Sequence, residues 1–331
     1  MLTNGKIDAG ASSLRVVREG DFPPIDTTCA RRYSLRMLTL KEHLEKFPDE
    51  ESCKRYLAAK RWPNGVRCPK CGSEKVFHVT HRPFHWVCKQ RDCGGRNGYR
   101  FSVISGTVFQ DTKRPLREWF TVALLMLDAK KGISSLNVQR IMGFKKEKTA
   151  WYMCHRIRAA MRDKEFAKLI GVVEIDETFV GGKEKNKHLG KRNPHNTAGK
   201  GKAIVIGAIS RKGNVTCKMI QRADRDTMMG FVREAVDRNV KLVVTDEHHG
   251  YDTMADSGRP HDVIKHGENE YVRGIVHTNT IESFWSLLKR GVMGSFHHVS
   301  TKYLPLYLAE FQFRFNNRKN PDMFGEVIAG C

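Results

Sequence analysis

The chain has 331 residues, with 58 Lys and Arg against 36 Asp and Glu, a formal charge of +22, and 40% hydrophobic residues. That apolar share supports real cores and excludes wholesale disorder, while the densest apolar stretch, Phe120 to Leu127, falls far short of the roughly 20 residues that span a bilayer. So large a positive excess repels itself, which makes a polyanionic partner, nucleic acid above all, the economical explanation of the composition. Residues 1–36 carry Pro23-Pro24 and no sustained periodicity, and are expected to be a poorly ordered extension. No apolar segment follows Met1, so no secretory signal is expected and a cytoplasmic location is, nucleoid-associated when DNA is bound.

From Leu40 to Lys60 the pattern reads as two short helical pieces, the second with acids first and bases last, as the helix dipole favours. Trp62 to Asp111 is rich in Gly, Cys and aromatics with short β-like runs. Pro115 then opens a helix that Gly132 ends; Ser134 or Ser135 caps a second, through Met142; Gly143 makes a turn; and a third runs from about Lys146 to Met161. A helix, a tight Gly turn and a basic helix form a helix-turn-helix pattern over 113–165, with Lys145, Lys146, Lys148, Arg156 and Arg158 as phosphate or groove contacts. Strand patterns follow at Gly171 to Phe179, Ala203 to Ile209 and Asn214 to Ile220, the last two as a hairpin around Arg211-Lys212-Gly213. A helix over Thr227 to Asn239 and an apolar strand over Val240 to Thr245 complete a mixed α/β layer. Between the first two strands, the loop 181–202 has seven bases and one acid, which suits a solvated loop and equally a clamp on a nucleic-acid backbone.

Cys68-Pro-Lys-Cys71 and Cys88-Lys-Gln-Arg-Asp-Cys93 are separated by 16 residues. Two close pairs at this distance present four thiolates to one structural Zn²⁺ with no open position, which points to a small binding module over 37–112. The remaining cysteines are scattered.

Asp176 ends the run V-V-E-I-D and Asp246 ends L-V-V-T-D. A short hydrophobic strand that terminates in Asp places the carboxylate at a sheet edge, and two such strands side by side bring the carboxylates together. Convergent carboxylates repel unless a hard divalent cation sits between them. Thr278 then caps a helix in which Asn279, Glu282, Ser286 and Lys289 or Arg290 share one face, and Ile281, Phe284, Trp285 and Leu288 the other. Glu174 shares strand parity with Asp176. Glu177, Glu247, His248 and His249 read as loop or surface groups.

From about Leu40 to Asn317 the chain resembles the zinc-ribbon insertion-sequence transposases of the DDE type, the family numbered fifteen ninety-five. The resemblance is carried by C-P-K-C with C-K-Q-R-D-C, then G-T-V-F-Q-D-T-K-R-P-L, K-T-A-W-Y-M-C-H-R-I-R, E-I-D-E-T-F-V-G-G-K, V-V-T-D, H-T-N-T-I-E-S-F-W-S-L-L-K-R-G and S-F-H-H-V-S, in that order. It implies an RNase H-like DDE domain over 168–320 behind a DNA-binding front end. It also implies that Asp176, Asp246 and an acid or amide of the H-T-N-T-I-E motif hold two Mg²⁺ or Mn²⁺. Glu282, by its spacing to Lys289, is the preferred third ligand and Asn279 the alternative; Lys289 would contact a phosphate. The implied activity is binding of terminal inverted repeats in double-stranded DNA, followed by cleavage and strand transfer, by at least a dimer. A non-catalytic DNA-binding regulator and a structure-selective nuclease are the competing readings.

Overall fold

The computed structural model describes residues 14–16, 38–162, 166–182, 190, 201–265, 272–274 and 276–331. The chain divides into two compact units. The first comprises residues 1–121, 325–329 and 331, and the second 122–324 and 330.

In the first unit, helix α1 (Leu40–Lys46) starts at a reciprocal cap. The Thr39 hydroxyl accepts the Glu42 N–H at 3.2 Å and the Glu42 carboxylate accepts the Thr39 N–H at 2.8 Å. Helix α2 (Glu50–Arg61) is capped by Asp49, which accepts the Ser52 N–H at 2.8 Å, and its charge order is the one expected, acids first and bases last. The Gly- and Cys-rich segment forms an antiparallel sheet of β2 (Val76–Val79), β3 (His85–Cys88) and β4 (Tyr99–Ser102), with a short α3 (Arg91–Gly94) before β4. A further strand, β1 (Leu14–Val16), pairs with β2 in the register Leu14 to Val79. These three residues therefore depart from the expected disorder of the N-terminal extension; the rest of 1–37 lies outside the described residues. Trp86 is buried in this sheet, stacked on Phe101 at 5.9 Å and met edge-on by Trp62 at 5.2 Å. Burial of this aromatic area contributes to the stability of so small a sheet.

The boundary between units falls within α4 (Leu116–Asp128). In the second unit, α5 (Ser135–Met142) is capped by Ser134, whose hydroxyl accepts the Asn137 N–H at 3.2 Å. Gly143, at φ +65°, turns the chain into α6 (Glu147–Ala160), a left-handed conformation that glycine adopts without steric cost. Both helices lie where the sequence places them. Arg158 does not play the role expected of it. It lies on the buried face of α6, one turn beyond Cys154, and donates from Nε to Glu310 of α9 (Leu304–Asn316) at 2.7 Å with both side chains almost wholly buried. A guanidinium sequestered there cannot reach a nucleic-acid backbone.

The second sheet contains β5 (Val172–Val180), β6 (Ala203–Ser210), β7 (Val215–Ile220), β8 (Leu242–Thr245) and β9 (His261–Val263), in the order β7-β6-β5-β8-β9. Strands β5, β6 and β7 form an antiparallel meander, while β8 and β9 run parallel to β5. The β6–β7 hairpin turns where expected, with Lys212 at φ +61°. One face packs Val173, Ile175 and Ile206 against Met228, Phe231 and Val232 of α7 (Arg225–Ala235). The other packs Val205, Ile209 and Val215 against Ile281, Phe284 and Leu288 of α8 (Asn279–Gly291) and Phe311 of α9. Both faces are covered, which is why the strands read as nearly unbroken apolar runs. The C-terminal helix α10 (Met323–Gly330) follows. Among the described residues no helix is long and apolar enough to cross a membrane.

Candidate functional site

The Cys-rich sheet gathers four thiols. Cys68, Cys71, Cys88 and Cys93 have sulfurs all within 4.8 Å of one another, with Cys68 to Cys93 at 3.5 Å and Cys71 to Cys88 at 3.7 Å. A tetrahedron with Zn–S bonds of about 2.3 Å has edges of about 3.8 Å, so the donor set and its spacing fit a structural zinc. The first knuckle is shaped by its backbone: the Gly72 N–H donates to the Cys68 carbonyl at 2.8 Å with Gly72 at φ +73°. Purified protein is expected to carry about one Zn²⁺ per chain, and Cys71→Ser to lose it and unfold the segment 62–111 while leaving the second unit intact. Elemental analysis with limited proteolysis tests this; well-folded wild type free of zinc would contradict it.

The carboxylates meet because of a length mismatch between parallel strands. Glu174 pairs with Val244 across β5 and β8, which puts Asp176 level with Asp246. Strand β8 stops at Thr245, whereas β5 continues to Val180. Asp176 is therefore not at the end of its strand, as the sequence suggests, but beside the end of its neighbour. Asp176, Glu177 and Asp246 bring carboxylate oxygens within 4.8 Å of one another, a group that fits a divalent metal ion. Glu177, read from sequence as a loop or surface group, belongs to this cluster. The buried Tyr251 hydroxyl donates to its carboxylate. Three acids in the four residues E-I-D-E were the available signal.

Each carboxylate is oriented. Asp176 accepts the Glu177 N–H at 2.8 Å and the Trp285 indole N–H at 3.0 Å. The indole lies over Gly207, the β6 partner of Asp176, where a Cβ would come within 2.6 Å of the ring. Asp246 accepts the His248 N–H at 3.2 Å. Burial, reinforced by the charges of Asp246 and Asp176, pushes Glu177 up to about 8 despite the Tyr251 hydrogen bond. Burial and then Asp246 likewise raise Asp176 to about 6. Without metal, the folded protein thus holds protons that an unfolded Glu, near 4.5, releases. Stability from this source is complete below that value and declines as pH rises towards about 8. In EDTA, Tm should fall between about pH 5 and pH 8 more steeply in wild type than in Glu177→Gln, and saturating Mn²⁺ should flatten the wild-type curve because the ion favours the charged carboxylates. Identical slopes for the two proteins would remove Glu177 from the titrating group.

Helix α8 supplies the facing wall of a cleft of about 840 Å³. Glu282, Ser286, Lys289 and Arg290 line it opposite Asp176 and Glu177, with Lys131 alongside. Asn279 does not line this cleft; it is exposed in the first turn of α8, its carbonyl accepting the Ser283 hydroxyl at 2.8 Å. The expected Thr278 side-chain cap is absent, since Thr278 donates to Glu282 at 3.1 Å instead. Glu174 caps the helix from the sheet. Its fully buried carboxylate accepts the Thr280 N–H at 2.8 Å, the Thr280 hydroxyl at 2.8 Å and the Ile281 N–H at 3.0 Å. Arg211 donates to the same carboxylate at 2.7 Å and to the His277 carbonyl at 2.9 Å. A buried anion at a helix N-terminus with a guanidinium partner holds both ends of that contact in one geometry. Glu174 thereby positions the helix that bears Glu282 and Lys289.

Lys145, Lys146 and Lys148 are exposed around the start of α6. Arg156 is half-buried and donates to the Tyr152 hydroxyl at 2.9 Å. The loop 181–202 lies largely outside the described residues.

Residues 48–96 match the family described as the transposase zinc-ribbon domain, and residues 168–316 match the ISXO2-like transposase domain. The chain is also 29% identical over 283 residues to an uncharacterised protein in transposable element ISH50 of Halobacterium salinarum, a similarity covering 82% of this chain and 92% of the relative. The first match contains the four thiols, and the second contains β5, β8 and α8 with every carboxylate of the cleft. The four-thiol ribbon precedes the carboxylate-bearing mixed sheet in the same order as the two matches, and through both of them the chain is similar to the DDE-type insertion-sequence transposases with an N-terminal zinc ribbon.

Proposed function

We propose that this protein binds the terminal inverted repeats of its own insertion sequence and catalyses metal-dependent cleavage and strand transfer of DNA. The observation that carries the reading is one cleft lined together by Asp176, Glu177 and Glu282 and by Lys131, Lys289 and Arg290. Acids and bases lining one cleft suit a phosphodiester held by its oxygens over a cation site. The sheet order, an antiparallel meander continued by two parallel strands, supports an RNase H-like reading of the second unit.

Asp176 and Asp246 would hold a divalent ion with Glu282 and Glu177 as further oxygen donors. Bound there, Mg²⁺ or Mn²⁺ supplies Lewis-acid stabilisation of the phosphate and a hydroxyl nucleophile at neutral pH. The protein's own contribution is positional. Trp285 and the Glu177 N–H fix the Asp176 carboxylate, and Tyr251 fixes Glu177. Lys289 and Arg290 neutralise the phosphate as it enters. No Ser or Tyr nucleophile is required, because the attacking oxygen is water and then the 3′-hydroxyl of the element end. Lys145, Lys146, Lys148 and Arg156 would hold the duplex through α5 and α6 in a helix-turn-helix mode. Joining two ends to one target requires at least two copies of the chain.

Incubation of the full-length protein with a pre-cut element end and a supercoiled plasmid tests the reading. Joined product that depends on Mg²⁺ or Mn²⁺ is expected. Tight end binding without cleavage or joining at any metal concentration would favour a non-catalytic regulator, and cleavage without joining a nuclease.

A further inference from the structure

A second cleft, of about 690 Å³, shares no lining residue with the carboxylate cleft. It is bordered by α7, which covers the sheet face opposite α8. Five basic side chains line it, Lys168, Arg225, Arg233, Arg238 and Arg259, against two acids, Asp226 and Asp256. Arg225 and Arg233 stand eight residues apart on α7, roughly 12 Å along a helix axis, and both are exposed, as is Arg238 just beyond the helix end.

Arg259 is the built part of the site. It is only 6% exposed, and its guanidinium donates to the carbonyls of Val236 at 3.0 Å and Asp237 at 3.2 Å. Those contacts fix the plane of the fork, and the compensating charge near it is that of Asp237, which makes no ion pair with the guanidinium. The Asp237 carboxylate accepts the Asn239 N–H at 2.9 Å and leaves the guanidinium to its carbonyls. Burial, followed by the positive charge of Arg238, lowers the pKa of Arg259 below the usual arginine value, and the charge of Asp237 offsets this only in part. Among the described residues, Lys168, Arg225, Arg233 and Arg238 engage no carboxylate in an ion pair. A buried cation and four neighbours without paired acids are held together at an electrostatic cost that an anion in the cleft would remove. The row of arginines is too long for one phosphate to satisfy, and its length suits a run of phosphates on one strand.

We propose that this cleft grips the phosphate backbone of a DNA duplex separate from the one whose ends reach the carboxylates. The proposal rests on the transposase reading in one respect only, the identity of that second duplex as the target.

The test uses full-length Arg225→Ala/Arg233→Ala/Arg238→Ala, three exposed positions whose truncation leaves the core intact. Binding of a fluorescein-labelled duplex of about 30 base pairs, unrelated to the element, is followed by anisotropy from about 50 to 200 mM salt. Wild type should show a log–log salt slope steeper by about 2.7 than the triple variant, with affinity at the lowest salt at least about tenfold higher. Equal slopes would overturn the proposal. Lys145→Ala/Lys146→Ala serves as the counterpart, expected to weaken binding of the element end. If the wild-type protein neither cleaves nor joins DNA, the transposase reading fails while the slopes still report on the cleft. In an active protein, loss of joining with end cleavage retained identifies the gripped duplex as the target, and loss of both overturns that identification.

Discussion

Replacing Glu282 with Gln is expected to lower single-turnover cleavage and joining by on the order of 10³-fold, about 4 kcal/mol on the barrier, and to leave binding of the element end unchanged. The side chain lines the carboxylate cleft from α8, opposite Asp176 and Glu177, so removing its charge weakens the oxygen donor set without touching the elements that would hold the duplex. Asp176→Asn should behave in the same way. Asn279→Ala should cost far less, because Asn279 stands exposed in the first turn and its backbone carbonyl, which the substitution keeps, makes the contact with Ser283. Raising Mg²⁺ should recover part of the Glu282→Gln rate but none of any Asn279→Ala deficit. A near-wild-type rate for Glu282→Gln together with loss of activity in Asn279→Ala would transfer the role to Asn279.

The second large effect is expected at Glu174, which touches no part of the cleft. Glu174→Gln should destabilise the second unit by about 3 kcal/mol, because a fully buried carboxylate that holds both the α8 N-terminus and the partly exposed Arg211 is lost. Arg211 loses its carboxylate, and the amide turns a donor towards the N–H groups of Thr280 and Ile281 or an oxygen towards only some of them. Because the same carboxylate fixes the start of α8, the variant should also lose joining activity at temperatures where it remains folded, through displacement of Glu282 and Lys289. Glu174→Leu combined with Arg211→Met should be less destabilised than Glu174→Gln, since both charged groups are then replaced by apolar ones, yet no more active. Urea unfolding and single-turnover joining of the three proteins decide the matter. A Glu174→Gln midpoint indistinguishable from wild type would show that α8 is held by its apolar face alone.

Local and periodic features of this protein were set by its sequence. The two cysteine pairs identify a zinc site because the ligands of a knuckle are neighbours in the chain, and the four sulfurs do converge. Helices α5 and α6, the Gly143 turn and the β6–β7 hairpin lie at their predicted places because caps, glycines and apolar spacing act within a few residues. Asp176 and Asp246 could be singled out for a similar reason, each closing an apolar strand-like run. What tertiary structure alone decided concerns partners far apart in sequence. Arg158 looks like any base on a basic helix until Glu310, 152 residues away, meets it in the interior. Glu177 follows Asp176 and by strand alternation should face the other way; the end of β8 and the Tyr251 hydroxyl bring it into the cluster. The cap on α8 comes from Glu174, 106 residues before Thr280, and the adjacent Thr278 leaves it unmade. Alternation and helical spacing fix which residues share a face. Which distant side chain fills the space above that face depends on strand order and strand length, and neither is encoded in any short segment.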